Sequence, residues 1–169
     1  SNIVFNFSYK MVGIGNETGF STLYTPVYKG CALKSCSATS KDDAKDSVRR
    51  AISCNNFDEK KLKLLEQRIK IIRIDDLELN PILIKIDIEG GEFSALKGME
   101  KTLKRSHPVL ILERNKQTFE RIKNFLTPLG YDLVDLKKMG LLCDDRLINL
   151  VNYVFWPREL VPKNVKNHN

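Results

Sequence analysis

Residues 82–88 (ILIKIDI) place an apolar side chain at nearly every position, with Pro81 before the run and Gly90-Gly91 shortly after it. A short run of this kind, rich in isoleucine, predicts a parallel strand buried on both faces. The period then changes. In EFSALKGMEKTLKR (92–105), Phe93, Leu96, Met99 and Leu103 recur at three- or four-residue steps and the last turn is basic, which predicts one amphipathic helix. PVLILE (108–113) predicts a second apolar strand. Phe119, Ile122, Leu126 and Leu129 form one stripe that stops before Gly130, predicting a second helix. YDLVDL (131–136) and LVNYVFW (150–156) alternate as strands, with Trp156, Tyr153 and Phe155 expected to pack the last one. Strand, helix, strand, helix, strand is the order of an α/β protein with a parallel, doubly wound sheet.

The first 70 residues are less regular. IVFNF (3–7) and GFSTLYTPV (19–27) read as strands, and DDAKDSVRRAI (42–52) reads as a short helix with Ala44, Val48 and Ile52 on one face. RIKIIRI (68–74) alternates as a strand, while DEKKLKLLEQ before it is compatible with helix or coil. No internal repeat or linker is visible, so residues 1–160 read as a single domain and 161–169 as a mobile polar tail.

The length, 169 residues with 42% hydrophobic, suits one domain with a core. No run approaches the roughly 20 apolar residues of a membrane span, and the N-terminus lacks a signal-peptide layout. A soluble, cytoplasmic protein is expected. Four cysteines, Cys31, Cys36, Cys54 and Cys143, show no Cys-x-x-Cys spacing and no nearby histidine, which predicts free thiols. The net charge is +7, unevenly spread. Residues 74–92 carry six acids (Asp75, Asp76, Glu78, Asp87, Glu89, Glu92) against Lys85 alone. Residues 97–123 carry eight basic residues against three acids. The basic helices suggest a second function class, a non-catalytic module binding an acidic partner. Without clustered aromatics or a base-reading module, nucleic acid is not the expected partner.

GIGNETG (13–19) looks at first like a phosphate loop, yet STLYTPVYKG follows it instead of a helix, so it is read as a strand-to-strand turn. IDIEGGE (86–92) is the strongest local signal. It sets Asp87 and Glu89 at the carboxyl end of a strand, where open α/β sheets bind ligands. Glu113 ends the next strand on the same edge. Strands about 5 Å apart allow Asp87 and Glu113 to converge on one hydroxyl, ligand or divalent ion. His107 precedes the opposite end of its strand and His168 lies in the tail, so a carboxylate is the better candidate base.

The run RIDDLELNPILIKIDIEGGEFSALKGMEKTLKRSHPVLILE resembles the hallmark of the FkbM-type S-adenosylmethionine-dependent methyltransferases. GIGNETGFSTLYTPVYKG is similar to that family's strand pair before the middle segment, and NYVFWPRE (152–159) to its closing strand. The resemblance implies a Rossmann-like, mostly parallel sheet with an antiparallel C-terminal strand. It also implies S-adenosylmethionine as methyl donor and O-methylation of a small-molecule or sugar hydroxyl. Asp87, Ile88 and Gly90 would meet the cofactor, and Asp87, Glu89 and Glu113 would carry catalysis; a divalent metal held by Asp87 and Glu113 is a weaker expectation, resting on the preference of hard cations for carboxylate oxygens. The sequence has no Asp-x-Gly-x-Asn loop for the cofactor's methionine part, and it begins at Ser1. The expectation is therefore a partial domain lacking its first strands, either a piece of a longer protein or a shortened, degenerate relative. Loss of a strand beside residues 82–88 would leave an apolar edge.

Overall fold

A computed structural model describes residues 7–52, 57–115, 117–134 and 152–160. Among the described residues the chain forms two four-stranded sheets. The first holds β1 (Gly13–Ile14), β2 (Gly19–Tyr28), β3 (Cys31–Ala32) and β4 (Leu62–Ile72) in the order β1-β4-β2-β3. β2 pairs antiparallel with β4 along its whole length, from Gly19 opposite Ile71 to Tyr28 opposite Leu62, and β1 lies parallel to β4. Between β3 and β4, α1 (Lys41–Ala51) starts at Ser40, whose hydroxyl accepts the Asp43 N–H, and buries Ala44 and Val48. The GNETG segment is a turn from β1 to β2, as expected.

The stretch left open between helix and coil divides in two. Residues 59–61 form a 3-10 turn, capped by the Asp58 side chain accepting the Lys60 N–H. From Leu62 onward the chain is already β4. Leucines and charged residues are mixed there without a clean period, and pairing with every residue of β2 decides the outcome.

The second sheet contains β5 (Leu83–Ile86), β6 (Val109–Glu113), β7 (Tyr131–Val134) and β8 (Asn152–Pro157), ordered β5-β6-β8-β7. β5 and β6 are parallel, and β8 runs antiparallel between β6 and β7. One antiparallel C-terminal strand among strands running the other way agrees with the expected sheet. The largely antiparallel first sheet is a correction to the expectation of one doubly wound sheet, because β2 and β4 pair with each other and not with β5.

A second correction concerns 82–88. β5 is an edge strand among the described residues, with Ile82 88% and Leu83 52% exposed, while Ile86 is buried in the core and Ile84 packs against it partly buried. A continuous apolar run reports a strand suited to burial on both faces but carries no information on whether both faces are covered.

A third concerns the helix of 92–105, which is two: α2 (Glu92–Lys97) and α3 (Glu100–Ser106). At the break, the Gly98 backbone lies against the β1–β2 turn so closely that a Cβ on Gly98 would fall 1.9 Å from the Gly15 carbonyl oxygen. Asp75 serves the start of α3 from a distant segment. Its carboxylate accepts the N–H groups of Lys101 (3.2 Å) and Thr102 (2.8 Å) and the Thr102 hydroxyl (2.9 Å), while its own N–H donates to the Gly98 carbonyl. Burial raises the Asp75 pKa, but the bonds from Thr102, Lys101 and Arg73 outweigh burial and hold it below the ordinary value.

α4 (Phe119–Leu126) runs into a 3-10 turn at 127–129 and stops at Gly130, whose φ of +86° is left-handed. The core joins these helices to the second sheet through Leu96, Met99, Leu103, Leu110, Leu112, Ile122, Leu126, Tyr131 and Phe155. Phe155 packs the terminal strand as predicted, and Cys31 and Cys36 are free thiols. The expectations for 1–6, Cys54, 135–151, Cys143, the tail and His168 fall outside the described residues. No helix among the described residues is long and apolar enough to cross a membrane.

Candidate active site

Residues 87–91 leave the carboxyl end of β5 and turn into α2. The turn is tight because Glu89 (φ +50°) and Gly90 (φ +99°) are both left-handed, a conformation that costs a non-glycine residue about 1–2 kcal/mol. Glu92, at the start of α2, is fully buried, with 0% of its surface exposed. Its Oε1 accepts the N–H groups of Gly90 (3.0 Å) and Ile88 (3.4 Å).

Facing this loop is the β1–β2 turn, fastened at two points. The Ser94 hydroxyl accepts the Asn16 N–H and donates to Asn16 Oδ1, and the Thr18 hydroxyl donates to Asp76 at 2.6 Å. Between the turn, the first sheet and the loop lies an open cleft of about 1020 Å³. Leu23, Ile69 and Ile71 line it from one face of the first sheet, and Asp87, Ile88 and Glu89 line it from the loop. A second cleft of about 620 Å³ lies beside α1, lined by Ser47, Arg50, Glu113 and Asn115. The two clefts share Ser35, Asp43, Glu89 and Gly90.

The residues predicted from sequence therefore gather at this edge, but not as one group. Asp87 and Ile88 line the larger cleft, Glu113 lines the smaller, and Glu89 and Gly90 line both. Because Ile86 pairs with Leu112, Asp87 and Glu113 leave their strands side by side. Asp87 lines the larger cleft and Glu113 the smaller, with Glu89 and Gly90 forming the wall between them. Asp87 is half exposed and forms an ion pair with Lys85 Nζ at 2.5 Å. Burial, then the negative charges of Glu89, Asp87 and Glu92, raise the Glu113 pKa above its ordinary value, with Arg50 opposing. Among the described residues, no group of three or more His, Cys, Asp or Glu side chains is placed to hold a metal ion. His107 bonds Glu159 through Nδ1 at 2.6 Å and precedes the amino end of β6, opposite Glu113.

The donor set suits a cation with an apolar body. Four acids, Glu17, Asp43, Asp87 and Glu89, line the cleft against two lysines, Lys10 and Lys34, and Leu23, Ile69 and Ile71 supply its apolar surface. S-adenosylmethionine, a sulfonium attached to a nucleoside, has that character. The sequence reading missed Ser94, the aliphatic wall and the hydrogen-bonding role of Glu92. A glutamate directly after a Gly-Gly turn is the signal that the sequence offers for Glu92.

No curated protein and no solved structure gives a significant match. The family model for the methyltransferase FkbM domain matches residues 4–133, a span that includes both walls of the larger cleft and Glu113. The chain thus belongs to the methyltransferase FkbM domain family.

Proposed function

We propose that this protein transfers the S-methyl group of S-adenosylmethionine to a hydroxyl oxygen of a small molecule or sugar. The observation that carries the reading is the sharing of Glu89 and Gly90 by two clefts at the carboxyl end of β5. The larger cleft takes the methyl donor, the smaller takes the acceptor, and the shared wall sets them next to each other. When bound, the donor supplies an electrophilic methyl on a positive sulfur. Asp87 and Glu89 favour that cation electrostatically. Glu113 accepts the acceptor's hydroxyl proton as the oxygen attacks; its raised pKa makes it a stronger base than an ordinary glutamate. Ser47, Arg50 and Asn115 offer hydrogen bonds that suit a polar acceptor.

The test is transfer of a tritiated methyl group from S-adenosylmethionine to a panel of sugars and small alcohols. Glu113→Gln is expected to lower kcat by about 10²–10⁴-fold. In the wild type, kcat should rise with pH through a midpoint above the ordinary glutamate value, because only the deprotonated carboxylate takes the proton. Full activity in Glu113→Gln would remove Glu113 from the chemistry.

A second reading, an interaction module for an acidic partner, draws support from Lys97 and Arg121. Their charged groups lie 5.4 Å and 4.5 Å from the centre of the same ring, Phe93, and so gather two cations where α2 meets α4.

A further inference from the structure

We infer that Glu92 positions the donor-binding loop, fixing Ile88, Glu89 and Gly90 in the shape that lets Glu89 serve both clefts. The inference rests on the methyl-donor reading of the larger cleft. One carboxylate oxygen takes two backbone N–H groups from a five-residue stretch in which left-handed Glu89, a non-glycine residue, does not hold its shape cheaply. The other bond within the turn, from the Gly91 N–H to the Ile88 carbonyl, is 3.4 Å long. The Glu92 carboxyl has no second structural task among the described residues. Its Oε2 is buried with no hydrogen-bond partner. Leaving a buried oxygen unpaired costs about 1–3 kcal/mol, so an apolar side chain there would serve the core better. What the carboxyl supplies in return is an acceptor at the loop. Asp87, Ile88, Glu89 and Gly90, every site residue on this strand end, lie within five positions of it.

Two variants separate loop positioning from general support. Glu92→Gln keeps an acceptor oxygen at the same reach, while Glu92→Met keeps the volume and helix propensity and removes the acceptor. Two measurements apply: calorimetric binding of S-adenosylhomocysteine, and amide hydrogen exchange at Ile88 and Gly90, with Leu110 and Leu112 as core references. Loss of the two bonds in Glu92→Met should weaken S-adenosylhomocysteine binding and speed Gly90 exchange by about tenfold or more each, with core exchange unchanged. Glu92→Gln should stay within about threefold of wild type on both, since the acceptor survives. Wild-type affinity and Gly90 protection in Glu92→Met, or equal damage in both variants, would overturn the inference. A wild type that binds no S-adenosylhomocysteine while Glu92→Met still frees Gly90 would sink the donor reading and support the loop-holding role. Should Glu92→Met not fold, wild-type Gly90 decides the question: strong protection supports the role, and exchange at a free-peptide rate overturns it.

Discussion

The two sheets are built on different terms. The second sheet and its helices bury complete side chains, with Leu96, Leu103, Leu110, Leu112 and Leu126 all at zero exposure. In the first sheet, apart from Pro26, Tyr28 and Ile72, the apolar residues of β2 and β4 stay partly or well exposed, and one face of that sheet is the wall of the larger cleft. The second sheet carries the buried core; the first leaves apolar surface open to the larger cleft. A protein that buried Leu23, Ile69 and Ile71 against its own core would gain stability and close the cleft.

The sharpest way to break this comparison is a pair of matched truncations. Leu112→Ala should destabilise the fold by about 2–5 kcal/mol, as fully buried leucines do, whereas Ile69→Ala should cost about 1 kcal/mol or less and chiefly weaken ligand binding. Urea unfolding of both variants checks it; equal losses would mean that the first sheet shares the core's role. Next in size is the link between the two regions. Asp75→Ala removes the acceptor at the start of α3 and should cost about 1–3 kcal/mol. The folded pKa of Asp75 lies below the ordinary 3.8, so its contribution is present above that value and is lost as pH falls through the folded value. The acid limb of stability against pH should therefore flatten in Asp75→Ala. Smallest is Glu113. A carboxyl with a raised folded pKa stabilises the fold below its unfolded value and loses that contribution as pH rises through the folded one. At neutral pH, Glu113→Gln should then be neutral or stabilising by a few tenths of a kcal/mol, read by thermal unfolding, although it sits in the site.

The same contrast explains what could be read from the sequence. Helices that pack on a sheet repeat their apolar residues every three or four places, so α4, its Gly130 stop and the strands β6 to β8 follow directly from the pattern. The α2–α3 break did not, because it depends on where the Gly15 carbonyl lies, 83 residues away in the chain. The start of β4 depends on β2, and its mixed pattern reflects a strand with a cleft on one side and charged residues on the other. At the site, Asp87, Glu89 and Glu113 were evident from their places at strand ends. Their division between two clefts was not, since α1 and the first sheet build those walls from sequence with no chemical motif of its own.

The larger cleft, along the loop after β5, is the proposed site of the methyl donor. A titration of the ¹⁵N-labelled protein with S-adenosylhomocysteine, followed by amide chemical shifts, tests it most directly. The account predicts shifts that saturate together at Asp87, Ile88 and Gly90 and at Leu23, Ile69 and Ile71 across the cleft. An unchanged spectrum at saturating ligand, or shifts confined to residues outside that cleft, would contradict it.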